Sequence, residues 1–569
     1  MTRHSRFPDA AFVASTAPDF AFVLEKLQTN EQLSGSRARD LQSSVRRVAQ
    51  IIRPDRPLAD LPADPEWCRI QIAKVLPISV GISLKTWSNL TSNFGKALVA
   101  AGITPHRFEI KLTGEWAILW RRIRDTDNMQ LTTGLSRFPR FCQQAGLQPE
   151  DVTDCTVTQY ADALRSSDLT GTPECAVYYA VRAWNLAVDR VEGWPQRPLT
   201  APDRRRSYAL PWAAFPISLE ADIDAWLAMG SDEDIFSRRG PLCALAPATV
   251  KLRKGSIQRF ATALVNAGQS VESLTDLRVL VQPGMAEIGL RWLHERSGQK
   301  LGGGLGNIAI AVKMAAKHWV ALPKADLDIL ATFAQRLSAT EPGMTEKNRA
   351  RMNAFKDPRT LLKLLRLPDT LAHQALSVKD AARRAALFET ATAIAIMITC
   401  PIRFDNLCSL EIDTHFAIVG RGRNQRLTLR IPKAMVKNRV DLIFEVPSNV
   451  ASKIAEFKKV HRPVLSNIRS RYLFTKRSED APIGWSTLRR RITDAIRKNV
   501  GVEFTPHNFR HLAGFIFLNK YPGGYETTRR LLGHKNGSTT LDHYVGLEND
   551  AAHKSFTQLL TDLQGADRG

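Results

Sequence analysis

The chain has 569 residues, 44% of them hydrophobic and 24% charged, which excludes wholesale disorder and, at this length, a single core; roughly two to four domains are expected. Lysine and arginine number 79 against 56 acidic residues, a formal charge of +23, so polyanions are the natural partners. The seven cysteines (Cys68, Cys142, Cys155, Cys175, Cys243, Cys400, Cys408) form no C-x-x-C pair, which argues against a zinc module or a disulfide framework and fits a reducing cytoplasm.

The opening MTRHSRFPDAAFVASTAPDF has no continuous apolar region of the kind a secretory signal carries. The most apolar stretch, Ala391–Thr399, is far shorter than the roughly 20 residues that span a bilayer, so a soluble protein without membrane contact is expected. Residues 1–110 read as a mainly helical region, and IIRPDRPLADLPADPEW within it as a proline-punctuated connector.

One pattern then recurs: FGKALVAAG at Phe94–Gly102, FPRFCQQAG at Phe138–Gly146 and FATALVNAG at Phe260–Gly268. Each suits a helix whose phenylalanine faces a core and whose glycine closes the C-terminus in the left-handed conformation. Similar helical sequels follow the second and third copies, which predicts two related helical modules at 111–200 and 217–340 with a partial third before them. Between the modules, QRPLTAPDRRRSYALPWAAFP reads as a linker, and Arg204, Arg205 and Arg206 either sit on a phosphate backbone or form a solvated charge run.

A polar boundary, ATEPGMTEKNRARMNAFKDP, precedes a mixed α/β domain at 345–569. RLTLRI (Arg426–Ile431) alternates apolar and polar residues, and VDLIFEVP follows after PKAMVKN, so two strands joined by a basic turn are predicted. Arg421, Arg423, Lys433 and Arg439, with the three linker arginines, are the candidate DNA-binding residues.

The same domain holds residue types suited to phosphate chemistry. Arg403 in ITCPIRFDNLCSLEI stands between two helical patterns, and alone would cap a helix or pair with Asp405 or Glu411. In PHNFRH, the positions of His507, Arg510 and His511 put an imidazole and a guanidinium on one helix face; H-x-x-x-H can bind zinc, but Arg510 would repel a cation there and no glutamate fills the hydrolytic position. RRLLGHKNGSTTLDHYVG then supplies His534 and, ten residues on, Tyr544.

A phosphodiester under attack gains charge on its non-bridging oxygens, which two guanidinium groups, Arg403 and Arg510, would stabilise more strongly than in the ground state. A tyrosine hydroxyl, with a pKa of about 10, needs a proton acceptor, for which His507 is placed, while His534 would bond the phosphate. The leaving 5′ oxygen needs a donor, which falls to Lys437 in the turn KAMVKNRV, with Lys433 as the alternative.

Taken together, Arg403 in CPIRFDNLCSLEI, Lys437 on a hairpin, H-x-x-R-H at 507–511, LLGH ending at His534, and Tyr544 resemble the ordered Arg-Lys-His-Arg-His-Tyr set of tyrosine recombinases, the phage integrase family. The resemblance is strongest over about 345–569 and looser upstream. It implies a multidomain, mainly α protein: helical SAM-like core-binding modules followed by a mixed α+β catalytic domain with a small β-sheet. It further implies that Tyr544 attacks DNA to leave a 3′-phosphotyrosyl link, without cofactor or metal, in an integrase or a transposase of a mobile element. The implied partners are double-stranded DNA, further copies of the chain in a tetramer, and other recombinases of the same element.

The chain departs from shorter members in a gap from His534 to Tyr544 that is longer by one residue, with Gly537 in the turn and His543 before the tyrosine. Tyr521 and Tyr525 are rival nucleophiles, but they precede LLGH in what reads as a KYPGGYE loop. The final segment places Phe556, Leu559, Leu560 and Leu563 at helical spacing, suited to packing on its own domain or, by the resemblance, on a neighbouring protomer.

Overall fold

The computed structural model describes residues 13–14, 16–104, 110–167, 169, 172–200, 208–232, 243–338, 343–421, 424–436, 438–535 and 557. The chain divides into two compact units, one made of Met1–Pro202 and Gly343–Gly569, the other of Asp203–Pro342. It is a multidomain, mainly helical protein, with one small antiparallel sheet among the described residues.

Three apolar clusters form the first unit among the described residues. The N-terminal cluster gathers around Phe20, Phe94 and Trp67, with the Phe20 and Phe94 rings 5.1 Å apart. The proline-rich stretch within this region does not act as a free connector. Ala63 N donates to Pro18 O at 2.8 Å and Phe20 N to Leu61 O at 3.0 Å, and Trp67 is buried against Phe20 at 6.3 Å between ring centroids. Proline spacing marks where helices stop, but burial of the apolar residues between prolines decides where the stretch lies.

The second cluster is built on helices Gly114–Asp125, Phe138–Gln144, Asp154–Ser167 and Pro173–Arg190, packed around Phe138, Trp184 and Trp194. The incoming end of the linker is strapped to it: Trp184 Nε1 donates to Arg197 O at 2.8 Å, and Leu199 N to Asn185 Oδ1 at 2.8 Å. Arg204, Arg205 and Arg206 lie outside the described residues.

The second unit packs helices Ile217–Gly230, Pro247–Asn266, Pro283–Arg296, Gly303–Ala315 and Lys324–Ser338 around Phe260 and Trp226. Asp222 ties it together, accepting from Trp319 Nε1 and from Leu277 N, each at 2.8 Å. The recurrent phenylalanine–glycine pattern has the same local geometry in all three places. Phe94, Phe138 and Phe260 are buried, and Gly102, Gly146 and Gly268 take φ of 73°, 74° and 96°. In each, the N–H after the glycine returns to a carbonyl five residues back, as a glycine-closed helix end requires.

The third cluster of the first unit is the largest and belongs to residues 344–532. Its axis is helix Ala381–Thr399, capped by Asp380, whose carboxylate accepts from Arg383 N at 2.6 Å. Small alanines let neighbouring elements approach it closely, so residues 388–397 are buried. The helix ends at Cys400 because Pro401 has no N–H to continue it. Arg403 then starts the short helix Phe404–Cys408 as its N-cap residue.

The sheet follows in the order β1 (Phe416–Val419), β2 (Arg426–Ile431), β3 (Leu442–Val446), antiparallel throughout. Pairing of Leu429 with Phe444 and Ile431 with Leu442 sends one face into the core. The two strands expected from alternation are present. The third, β1, was not legible: its four residues are apolar throughout, with Ile418 and Val419 68% and 56% exposed, so no buried-face alternation marks it.

Candidate active site

Four short segments of the 344–532 domain carry the residues singled out by their chemistry. The first is the break at Pro401–Arg403. The second is the turn between β2 and β3, residues 432–441. The third is the start of helix Asn508–Lys520, and the fourth is the end of helix Tyr525–Leu532 with Gly533 and His534.

Arg510 joins three of them. It is 4% exposed, and its fork spans two carbonyls: Nη1 donates to Pro401 O at 2.6 Å and Nη2 to Leu532 O at 2.5 Å. These acceptors stand two residues before Arg403 and two residues before His534. A buried guanidinium needs such acceptors, and here they fix the spacing of both neighbouring segments.

Asn438 and Asn406 complete a closed circuit. Asn438 Nδ2 donates to Gly533 O at 2.8 Å, tying the β2–β3 turn to the segment of His534. Asn406 Nδ2 donates to Met435 O at 2.8 Å, tying the other limb of the turn to the helix that Arg403 begins. Four hydrogen bonds from three side chains therefore link the four segments in a ring.

Gly533 is needed at its place on two counts. Its φ is 60°, and a Cβ there would lie 2.5 Å from Leu442 Cδ2 on β3. The left-handed turn ends the preceding helix and aims His534, whose N–H donates to Arg529 O at 3.0 Å and whose carbonyl accepts from Arg529 Nη1 at 2.9 Å.

Arg403 is half-buried, and its Nη1 is buried with no hydrogen-bond partner among the described residues. Burial lowers its pKa, and Asp405 nearby pulls it back up. It nevertheless stays charged at neutral pH, so a desolvated cation with a spare donor stands at the ring. His507 precedes helix Asn508–Lys520 and is exposed, with its ring 5.0 Å from that of His511 and nearly perpendicular to it; His511, like Arg510, is buried. His534 is half-buried.

Of the proposed catalytic set, the structure brings together the segments of Arg403, His507, Arg510 and His534. Lys437 and Tyr544 lie outside the described residues, as does Arg423. Lys433 and Arg439 are exposed on the β2–β3 turn, Arg439 with an unusual φ of 52°, and Arg421 is exposed just after β1. Among the rival tyrosines, Tyr521 caps helix Asn508–Lys520 and is 55% exposed, whereas Tyr525 begins the next helix and is half-buried. Asn406 and Asn438 were missed from sequence; their only signal was adjacency, Asn406 three residues after Arg403 and Asn438 next to Lys437.

A half-buried guanidinium with one buried, unpartnered donor thus stands on a segment that is hydrogen-bonded to the segments of a second arginine and two histidines. Residues 369–550 match the phage integrase family, so the chain carries a domain of that family, the tyrosine recombinases. No curated protein matches the chain by sequence. Among solved structures it is similar to XerA recombinase, with 16% identity over 59% of this chain and 98% of that one, at a TM-score of 0.23. It is also similar to XerH site-specific recombinase in a post-cleavage complex with palindromic difH substrate, with 13% identity over 60% and 98% of the two chains, at a TM-score of 0.37. A pre-cleavage XerH complex with difH substrate gives 13% identity over the same shares, at 0.31.

Proposed function

We propose that the chain is a site-specific DNA recombinase that breaks and rejoins strands by transesterification, in the role of an integrase or a transposase. The observation that carries this is the unpartnered, buried Nη1 of Arg403 within a ring of segments braced by Arg510. Leaving a buried donor unsatisfied costs roughly 1–3 kcal/mol, and more when the group is charged, which a phosphate oxygen in the site would offset.

In the proposed step, Tyr544 Oη attacks the scissile phosphorus and gives its proton to His507. The P–O5′ bond breaks, and its electron pair stays on O5′, which takes a proton from Lys437 or, alternatively, Lys433. Arg403, Arg510 and His534 bind the non-bridging oxygens as charge grows on them. A 3′-phosphotyrosyl link and a free 5′-hydroxyl result. Attack by another strand's hydroxyl reverses the chemistry, and since one phosphodiester replaces another, neither nucleotide hydrolysis nor a metal ion is required.

Duplex DNA is the proposed partner, gripped by the helical modules at 111–200 and 217–340 and by Arg421, Arg423, Lys433, Arg439 and the linker Arg204, Arg205 and Arg206. Further copies of the chain, as a tetramer in the cytoplasm, would supply the second pair of strands.

The test is covalent capture. The full-length protein is incubated with nicked duplex selected by that protein from a random-sequence pool, and the products are run on a denaturing gel. Wild type is expected to give a DNA adduct that Tyr544→Phe lacks, while Tyr521→Phe and Tyr525→Phe retain it. Binding without any adduct would instead make the chain an architectural DNA-binding protein and overturn the proposal.

A further inference from the structure

We propose that Asn406 and Asn438 are positioning residues, holding the β2–β3 turn so that its lysine delivers a proton to the leaving O5′. The inference rests on the transesterification reading above and goes beyond it by assigning a task to two residues outside the proposed catalytic set.

A lysine on a β-turn is a poor proton donor unless its backbone is fixed, because its flexible four-carbon stem searches many rotamers. The described residues of this turn are fixed from two sides. Met435 O is bonded by Asn406 Nδ2 and Gly533 O by Asn438 Nδ2, each at 2.8 Å. Met435 lies between Lys433 and Lys437 in sequence and Asn438 directly follows Lys437, so the two anchors bracket position 437, and Lys433 stands two residues before the first of them. Asn406 is 7% exposed and Asn438 half-buried, so both bonds are partly shielded from competing water.

A third bond closes the base of the turn, from Lys433 N to Asp441 Oδ1 at 2.6 Å. His415 supports the same limb: its Nδ1 accepts from Glu411 N at 2.9 Å, and its Nε2 lies 3.2 Å from Met435 Sδ. Each amide joins the turn to a segment that carries a proposed phosphate ligand: Asn406 reaches the turn from the helix that Arg403 begins, and Asn438 reaches from the turn to the segment of His534. The turn is therefore registered against the phosphate-binding groups themselves, and a slip of about 1 Å in such an arrangement costs on the order of 100-fold in rate.

A leaving-group substitution separates this role from a merely structural one. When O5′ at the mapped scissile phosphate is replaced by sulfur, the P–S bond breaks to a thiolate, whose conjugate acid has a pKa of about 8.5. An alkoxide, by contrast, comes from an acid about as weak as water, far weaker than a thiol. The sulfur substrate therefore needs no proton donor. The probes are two nicked duplexes of one sequence, selected by the full-length protein from a random pool, with oxygen or sulfur at that position.

Asn438→Ala and Asn406→Ala are expected to cleave the oxygen duplex about 10–100-fold more slowly than wild type, and the sulfur duplex within about 3-fold of it. Asn438→Asp, which removes the donor at nearly constant volume, should behave alike, and Asn438→Gln should recover part of the loss. Arg403→Ala, which acts on the phosphate, should be slow on both duplexes. Equal loss on the two duplexes by the folded Asn variants, or no loss on the oxygen duplex, overturns the positioning role. Absence of adduct from wild type on both duplexes overturns transesterification itself, and this role with it.

Discussion

Arg510 donates through Nη2 to Leu532 O at 2.5 Å, so the arginine of H-x-x-R-H holds the end of the helix that leads into His534. Through Nη1 it also holds Pro401, ahead of Arg403. The residue therefore has an architectural task besides any action on a phosphate. Arg510→Ala is expected to abolish cleavage and also to destabilise the fold by about 3 kcal/mol, because two buried carbonyls lose charge-assisted bonds. Arg510→Lys should recover less than half of that, since an ammonium cannot span both acceptors. Urea unfolding of the three proteins measures it; an unchanged midpoint in Arg510→Ala would deny the brace.

Arg403 should behave in the opposite way. Its buried Nη1 is unsatisfied among the described residues, and desolvation already lowers its pKa. Arg403→Ala is expected to leave stability within about 1 kcal/mol of wild type, or to raise it, while cleavage falls at least about 100-fold. Sulfate, a tetrahedral anion, should raise the melting temperature of wild type more than that of Arg403→Ala.

Glu389 on helix Ala381–Thr399 is 2% exposed, and its Oε2 accepts from Arg491 Nη1. Burial pushes its carboxyl up from 4.5 to about 7, with Arg491 pulling it back down. A folded pKa above the unfolded one means that the native state holds the proton more tightly. Its contribution is thus complete below about pH 4.5 and is lost as pH rises through about 7. Between those limits wild type should lose up to about 3 kcal/mol more than Glu389→Gln, which does not titrate. Denaturant unfolding at pH 5 and pH 8 reads the difference; parallel curves for the two proteins would refute it.

Gly533→Ala places a side chain at a φ of 60° and 2.5 Å from Leu442 Cδ2. Destabilisation by about 1–3 kcal/mol is expected, with loss of cleavage because His534 is next in the chain. Trimming the neighbour in Gly533→Ala/Leu442→Ala should relieve the contact but not the backbone strain. Thermal unfolding of the single and double variants separates the two contributions.

Much of this domain was legible because its signals are local. Alternation in RLTLRI located β2 and H-x-x-R-H a helix, although His507 stands just before its first turn, and upstream of the domain the glycines at 102, 146 and 268 located helix ends. Arg403, His507, Arg510 and His534 stood out through residue type and order. What stayed hidden is non-local: Asn406 and Asn438 act through carbonyls that are distant in sequence, and nothing in an asparagine says which carbonyl it will reach. The Arg510 brace was hidden likewise, since a guanidinium that binds phosphate and one that binds carbonyls look the same in sequence. The proline-rich stretch near residue 60 misled because breaker residues report turns and not burial.

Tyr544 is expected to become joined to DNA. Nuclease trimming of the wild-type adduct followed by peptide mass spectrometry identifies the joined residue. The expected result is a single nucleotide-bearing peptide that contains Tyr544. A modification on Tyr521, on Tyr525 or on a residue other than tyrosine, or trimmed protein without any nucleotide, would contradict it.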